Sequence, residues 1–241
     1  MIAAQKWPLF ERWFVGHARK RLEATFHAMN VRGLAETREL AARHPILVVS
    51  NHTAWPDPLV VLVLGRLLSV DAYAMMDAKN LARLAFFKRV GAFGVDRTDP
   101  RDGAAAVRYA RGLLDRPGRA VWIFPQGETR PVTEPLVLLG GAARVARLVP
   151  EARVVPMGVR YEHADDERPS IWVSLGGAIP TVRTSFADVT ESHRAGIAHE
   201  LGVIEERVRA RARGADFDAV FERAPSRLGG LAERALSWLA G

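Results

Sequence analysis

The alternation of apolar and polar positions divides the chain into short β-branched runs separated by longer segments of helical periodicity. Residues 5–28 predict a helix, because Trp7, Phe10, Trp13 and Phe14 fall within roughly one-third of the circumference at ~3.6 residues per turn. A short run around Met29 to Val31, then Gly33 and a charged helix from Leu34 to Arg43, lead to Pro45-Ile46-Leu47-Val48-Val49, which predicts a buried strand. Beyond it the pattern predicts a helix from Pro58 to about Ser69, a strand at Ala72–Met76, a helix from about Asn80 to Arg89 and a strand at Ala92–Val95. A helix from Gly103 to Leu114, closed by Pro117-Gly118, precedes a strand at Ala120–Phe124, a loop from Pro125 to Glu134 and a helix from about Leu138 to Leu148. Strands at Arg153–Val159 and Ile171–Ser174 end the series, and the tail from about Ser185 reads as a charged helix. The repeated strand-helix-strand units predict an α/β fold with a largely parallel or mixed central sheet flanked by helices. Helical extensions are expected at 1–40 and 185–241, on a single domain spanning 1–241.

Composition narrows the chemistry. The chain has 241 residues, 49% of them hydrophobic, and no cysteine, so disulfides, thiolate-bound zinc and a cysteine nucleophile are excluded. Its formal charge is +7, carried almost wholly by arginine, which favours an anionic partner: a phosphorylated substrate, a nucleic acid or an acidic membrane surface. Nucleic acid is the poorest of these, because the basic residues are scattered among acids with no recognition element. The longest apolar run, Pro58 to Val70, contains Arg66 and falls short of the ~20 residues that cross a bilayer. The N-terminus, with Lys6, Glu11, Arg12 and Arg19-Lys20-Arg21 among its aromatics, does not read as a secretory signal, so a cytoplasmic location is expected. The same mixture of aromatic and basic residues suits either an interfacial membrane helix or one packed on the core. Leu228, Leu231, Leu236, Trp238 and Leu239 leave the same two alternatives at the C-terminus.

Polar residues concentrate where apolar runs end. Asn51-His52-Thr53-Ala54-Trp55-Pro56-Asp57 joins the first buried strand to the next helix, with Asp57-Pro58 reading as an N-cap followed by proline. A carboxylate that accepts from one imidazole nitrogen leaves the other free to take a proton, so His52 and Asp57 form a candidate acid–base pair. Gly91-Ala92-Phe93-Gly94-Val95-Asp96-Arg97, Phe124-Pro125-Gln126-Gly127-Glu128-Thr129-Arg130 and Val154-Val155-Pro156-Met157-Gly158-Val159-Arg160 occupy other strand ends, and in a parallel sheet such ends converge. Arg97 and Arg130 there would make a bidentate anion site, unless each is spent on an ion pair, Arg97 with Asp99 and Arg130 with Glu134. No histidine cluster with metal-ligand spacing and no glycine-rich loop ending in Gly-Lys-Ser or Gly-Lys-Thr is present.

The four stretches, in this order, resemble the glycerolipid acyltransferase family, which acylates lysophosphatidic acid and related acceptors. Its motifs are Asn-His-four residues-Asp, a glycine-led strand ending in Asp-Arg, Phe-Pro-Glu-Gly-Thr-Arg, and a Val-Pro stretch. The resemblance implies His52 as general base and Asp57 as its orienting carboxylate. It implies Lys79 and Arg97 as holders of the acceptor's phosphate, Gln126, Gly127, Glu128 and Arg130 as the acceptor pocket, and Pro156 as part of an acyl-binding wall. The third motif departs from the family: Gln126 stands in the glutamate position and Glu128 precedes Thr129-Arg130, which also admits a glycolipid or other hydroxylated acceptor. No bound cofactor is implied. The co-substrate would be acyl-CoA or acyl-ACP, the partner a membrane surface met peripherally, and the oxyanion donors backbone amides after Asp57 or near Gly127. A non-catalytic lipid-binding or membrane-tethering protein of the same fold is the alternative.

Overall fold

A computed structural model describes residues 1–163, 166–180, 185–210 and 216–224. In chain order its elements are α1 (Pro8–Thr25), β1 (Ala28–Arg32), α2 (Leu34–Arg43), β2 (Ile46–Ser50), α3 (Asp57–Leu67), β3 (Asp71–Asp77), α4 (Ala78–Arg83), a 3-10 helix (Ala85–Val90), β4 (Ala92–Val95), α5 (Pro100–Leu113), β5 (Arg119–Ile123), α6 (Gly141–Leu148), β6 (Arg153–Glu162), β7 (Ser170–Leu175), α7 (Phe186–Ala210) and β8 (Asp218–Glu222). The eight strands form one mixed sheet in the order β4-β3-β5-β2-β6-β7-β1-β8. From β4 to β6 every pairing is parallel, whereas β6–β7 and β1–β8 are antiparallel.

Both faces of the sheet are covered, which explains why the strands read as unbroken apolar runs. Ile46 and Val48 of β2 point into a core shared with Leu22, Val61, Leu64 and Trp122, beneath α1, α2 and α3. Leu47 and Val49 point the other way, to Phe93, Val107, Ala142, Val145 and Ile197, beneath α5, α6 and α7. The C-terminal ends of the five parallel strands therefore lie along one edge, where loops gather side chains from distant parts of the sequence.

Three elements differ from the pattern-based expectation. The N-terminal helix starts at Pro8, because Ile2 bridges to Gly94 and the Gln5 and Trp7 amides donate to the Lys88 and Arg89 carbonyls. The helix expected over Asn80–Arg89 breaks at Leu84, whose backbone (φ −113, ψ 53) is non-helical, and continues as a 3-10 helix that lays Phe86 and Phe87 against Phe14. The tail is not helical throughout: Asp218–Glu222 is a strand paired with β1, its Val220 and Phe221 packed on the core, so sheet pairing overrides a charged helical pattern. The apolar positions from Leu228 to Leu239 lie outside the described residues. Among the described residues no helix is long and apolar enough to cross a membrane.

Candidate active site

The loop between β2 and α3 is held to the sheet by side chains that behave like backbone. Asn51, next after β2, donates through Nδ2 to the Val159 carbonyl and accepts through Oδ1 from the Val159 amide, both at 2.9 Å. The amide thus continues the β2–β6 ladder one step beyond the last backbone pair, Ser50 with Met157. His52 follows, its N–H donating to Gln126 Oε1 at 2.8 Å and its carbonyl accepting from the Arg130 N–H at 2.9 Å.

The chain then turns so that His52 Nδ1 meets Asp57 Oδ2 at 2.6 Å. The same oxygen accepts from the Thr53 and Ala54 amides at 2.9 and 3.2 Å. Oδ1 accepts from the Tyr161 hydroxyl at 2.5 Å. Asp57 is 1% exposed, so every one of these bonds acts away from water. The helix begins one residue earlier than the Asp57-Pro58 pattern suggests: Pro56 is the N-cap, and Asp57 makes no capping bond because its oxygens are committed to the loop. It nevertheless sits in the first turn of α3, where the helix dipole favours a negative charge. The His52 ring lies against Phe124, the two ring centres 4.5 Å apart and the planes tilted by 32°.

His52 opens onto a cavity of about 1040 Å³. Lys79, Asp96, Arg97, Gly127 and Glu128 lie along its polar rim. The carboxylates at that rim are partly spent within the protein. Asp77 accepts from the Lys79 and Asn80 amides, and Asp96 is bound by the Thr98 amide and hydroxyl, which hold its carboxyl below the usual range. Asp77 Oδ2 stands 3.8 Å from Arg97 Nε, beyond hydrogen-bond distance. Arg97 lies over Gly127, which has φ +78; a Cβ there would come within 2.5 Å of Arg97 Nη1. Glycine at 127 thus serves both the left-handed turn and the approach of the guanidinium.

The structure separates the other expected residues. Arg97 and Arg130 do not form a joint anion site: Arg130 is clamped by Glu128 and Glu134, which keep it charged, and lies outside the cavity lining. Gln126 is buried and holds the His52 backbone instead of facing the cavity. Its role there needs only an acceptor, which an amide oxygen supplies as a carboxylate would. Pro156 is buried on the face beneath α7, within reach of Gly176 and Gly196, and takes no part in the cavity. Of the expected oxyanion donors, the Asp57 and Leu59 amides are bound by the Ala54 and Pro56 carbonyls and the Gly127 amide by Phe124. Tyr161 and the ladder role of Asn51 went unread in the sequence. Alternation along β6 carries the signal for the former, since Val155, Met157, Val159 and Tyr161 share one face.

The β2–α3 loop thus sets a histidine–carboxylate pair beside a largely apolar cavity. The acyltransferase family model matches residues 29–160, more than half of the chain, and the chain belongs to that family, the one its four motifs resemble. Among solved structures it is similar to the 1-acyl-sn-glycerophosphate (LPA) acyltransferase PlsC from Thermotoga maritima, with a TM-score of 0.54 and 12% identity over 85% of this chain and 81% of that one. This likeness concerns the fold. No curated protein matches the sequence.

Proposed function

We propose that the protein transfers a fatty acyl group from an acyl thioester, acyl-CoA or acyl-ACP, to the hydroxyl of a lysophospholipid such as lysophosphatidic acid. The observation that carries this reading is the His52–Asp57 pair at the mouth of an apolar cavity whose rim carries Arg97 and Lys79. With Nδ1 engaged by Asp57, Nε2 of neutral His52 is the basic atom. It takes the proton of the acceptor hydroxyl as the oxygen attacks the thioester carbonyl. The C–O bond forms, the C–S bond breaks, and the proton passes to the departing thiolate, restoring neutral His52. Arg97 and Lys79 hold the acceptor's phosphate, for which a guanidinium fork and an ammonium are suited. An acceptor without phosphate, such as a glycolipid, is the second reading. The neutralisation of Arg130 by its own neighbours favours it, since this removes one of the two arginines expected to form an anion site.

The substrate's source is a membrane surface, met peripherally on its cytoplasmic face. Trp7, which precedes α1, and Leu9 and Trp13 on it are 51%, 69% and 63% exposed, and Phe86 adjoins them through Phe14. Arg89 lies over the Trp7 ring at 5.8 Å, which places a cation beside the indole as a headgroup interface requires. Thiol release in the presence of vesicles and a panel of acceptors tests the reading. Release is expected with lysophosphatidic acid and is expected to vanish in His52→Ala, general-base catalysis supplying about 10²–10⁴-fold. Acceptor binding with no thiol release would instead identify a non-catalytic lipid binder.

A further inference from the structure

The rim beside His52 is not the purely basic site that a phosphate monoester calls for. Among the described residues, the charged side chains lining the cavity are Lys79 and Arg97 against Asp77, Asp96 and Glu128, so carboxylates outnumber cations. Arg130 does not redress the balance. It lies outside the lining and is shared between Glu128 and Glu134, one guanidinium to two carboxylates. A dianionic headgroup would therefore meet an excess of its own charge, which opposes binding.

The three carboxylates are not equally spent. Asp77 Oδ1 caps α4 through the Lys79 and Asn80 amides at 3.0 and 3.2 Å, and its Oδ2 faces Arg97 at 3.8 Å, near enough to balance the guanidinium and too far to occupy its donors. Asp96 Oδ1 is bound within its own turn by the Thr98 amide and hydroxyl at 2.9 and 2.6 Å, and the Lys79 ammonium further favours its charge. These two acids answer the two cations. Glu128 has no such counterpart inside the cavity: its Oε1 meets Arg130, and among the described residues no hydrogen bond ends on Oε2. It follows Gly127, over which Arg97 lies, and the chain passes there from a partly buried to an exposed position. An anion held by Arg97 thus has a carboxylate one residue further towards solvent.

We propose that Glu128 receives a cationic amine on the acceptor, so that the preferred acceptor is a zwitterionic lysophospholipid whose phosphate, held by Arg97 and Lys79, carries an ammonium-bearing headgroup. The proposal rests on the acyl-transfer reading and names the headgroup of its acceptor. A phosphodiester of ethanolamine presents one negative and one positive charge a few bonds apart, in the order Arg97 and then Glu128. A monoester brings a second negative charge and nothing for Glu128 to hold, and a glycerol diester brings hydroxyls without the positive charge. Arg130 then fixes Glu128 in place, while Glu134 competes for the same guanidinium and leaves Glu128 negative towards an incoming amine. The departure of the third motif from the family pattern thereby acquires a purpose in selecting the acceptor.

Thiol release is measured from one acyl-CoA to lysophosphatidic acid, lysophosphatidylethanolamine and lysophosphatidylglycerol of identical acyl chain in a neutral detergent, with circular dichroism confirming the fold of each variant. Wild-type kcat/KM is expected to be highest for the ethanolamine acceptor, by a margin that shrinks as salt is raised. Glu128→Gln removes the charge and keeps the shape. It is expected to lower kcat/KM for the ethanolamine acceptor by about fivefold, the upper end of what a half-exposed ion pair contributes, and to leave the glycerol acceptor unchanged. Arg130→Gln leaves the Glu128 charge uncompensated and is expected to raise kcat/KM for the ethanolamine acceptor, whereas a fall would mark Arg130 as a phosphate ligand and overturn the proposal. A wild-type preference for lysophosphatidic acid or the glycerol acceptor also overturns it, as does a folded Glu128→Gln protein that spares the ethanolamine acceptor or lowers all three alike. A wild-type protein that transfers to none of the three overturns the lysophospholipid reading itself.

Discussion

The Tyr161 hydroxyl donates to Asp57 Oδ1 while Asp57 Oδ2 faces His52 Nδ1, so a residue 104 positions away in the chain holds the carboxylate that meets the His52 ring. Burial and the Asp57 charge push the Tyr161 phenol well above its ordinary range, and it remains a proton donor to Asp57 at every working pH. Tyr161→Phe keeps the ring against Phe26 and removes only the hydroxyl. A hydrogen bond to a charged group contributes about 1.5–3 kcal/mol, so kcat/KM is expected to fall by roughly 10- to 100-fold. An unchanged kcat/KM would show that Tyr161 only packs.

Asp57→Asn retains the side-chain shape but puts a donor NH2 in place of one of two acceptor oxygens, so it cannot both accept from Tyr161 and select the Nδ1–H tautomer of His52. By analogy with other histidine–carboxylate pairs, turnover should fall by about 10⁴-fold with little change in secondary structure. Turnover within tenfold of wild type would remove Asp57 from the mechanism.

At Gln126 the expectation depends on an acceptor rather than a charge. Gln126→Glu should retain most activity, whereas Gln126→Leu strands the His52 N–H and should cost about 1–3 kcal/mol of stability, read from urea midpoints. Equal behaviour of the two variants would refute a positioning role.

Gly127→Ala places a methyl group against the Arg97 guanidinium in a left-handed turn. The backbone strain alone should cost about 1 kcal/mol or more, and the displaced arginine should raise KM for a phosphorylated acceptor more than it lowers kcat. An unchanged KM would separate Arg97 from phosphate binding.

His193 is 2% exposed on the stripe of α7 that also carries Val189, Ile197, Glu200 and Ile204, and burial lowers its pKa from 6.5 to about 4. The unfolded chain therefore binds a proton at a pH where the folded one does not, so stability is highest above pH ~6.5 and falls as pH drops towards 4, by about 3 kcal/mol in all. Thermal melts across that range should show the slope, and His193→Gln should flatten it whatever its starting stability.

Much of the parallel half of the sheet was legible, because a strand covered on both faces must be apolar throughout, and Pro45–Val49 and Ala120–Phe124 are. The meeting of His52 with Asp57 was legible because both lie in one short loop. The site was obscured where its parts come from tertiary pairing. Tyr161 looks like the end of a strand until β6 is seen to outrun β2, and β8 has no signal apart from the partner it finds in β1. Arg130 resembled a ligand, and only geometry shows that Glu128 and Glu134 consume it.

The amide bridge from Asn51 to Val159 bears on more than local order. Together with the Gln126 and Tyr161 contacts, it ties the reactive loop to β6 and to the loop after β5, and leaves it independent of the segments after β3 and β4 that carry Lys79 and Arg97. On the function proposed above, the chemistry and the choice of partner hang from different parts of the frame. Remodelling the β3–α4 and β4–α5 connections offers a route to new acceptors with the proton-transfer apparatus left intact.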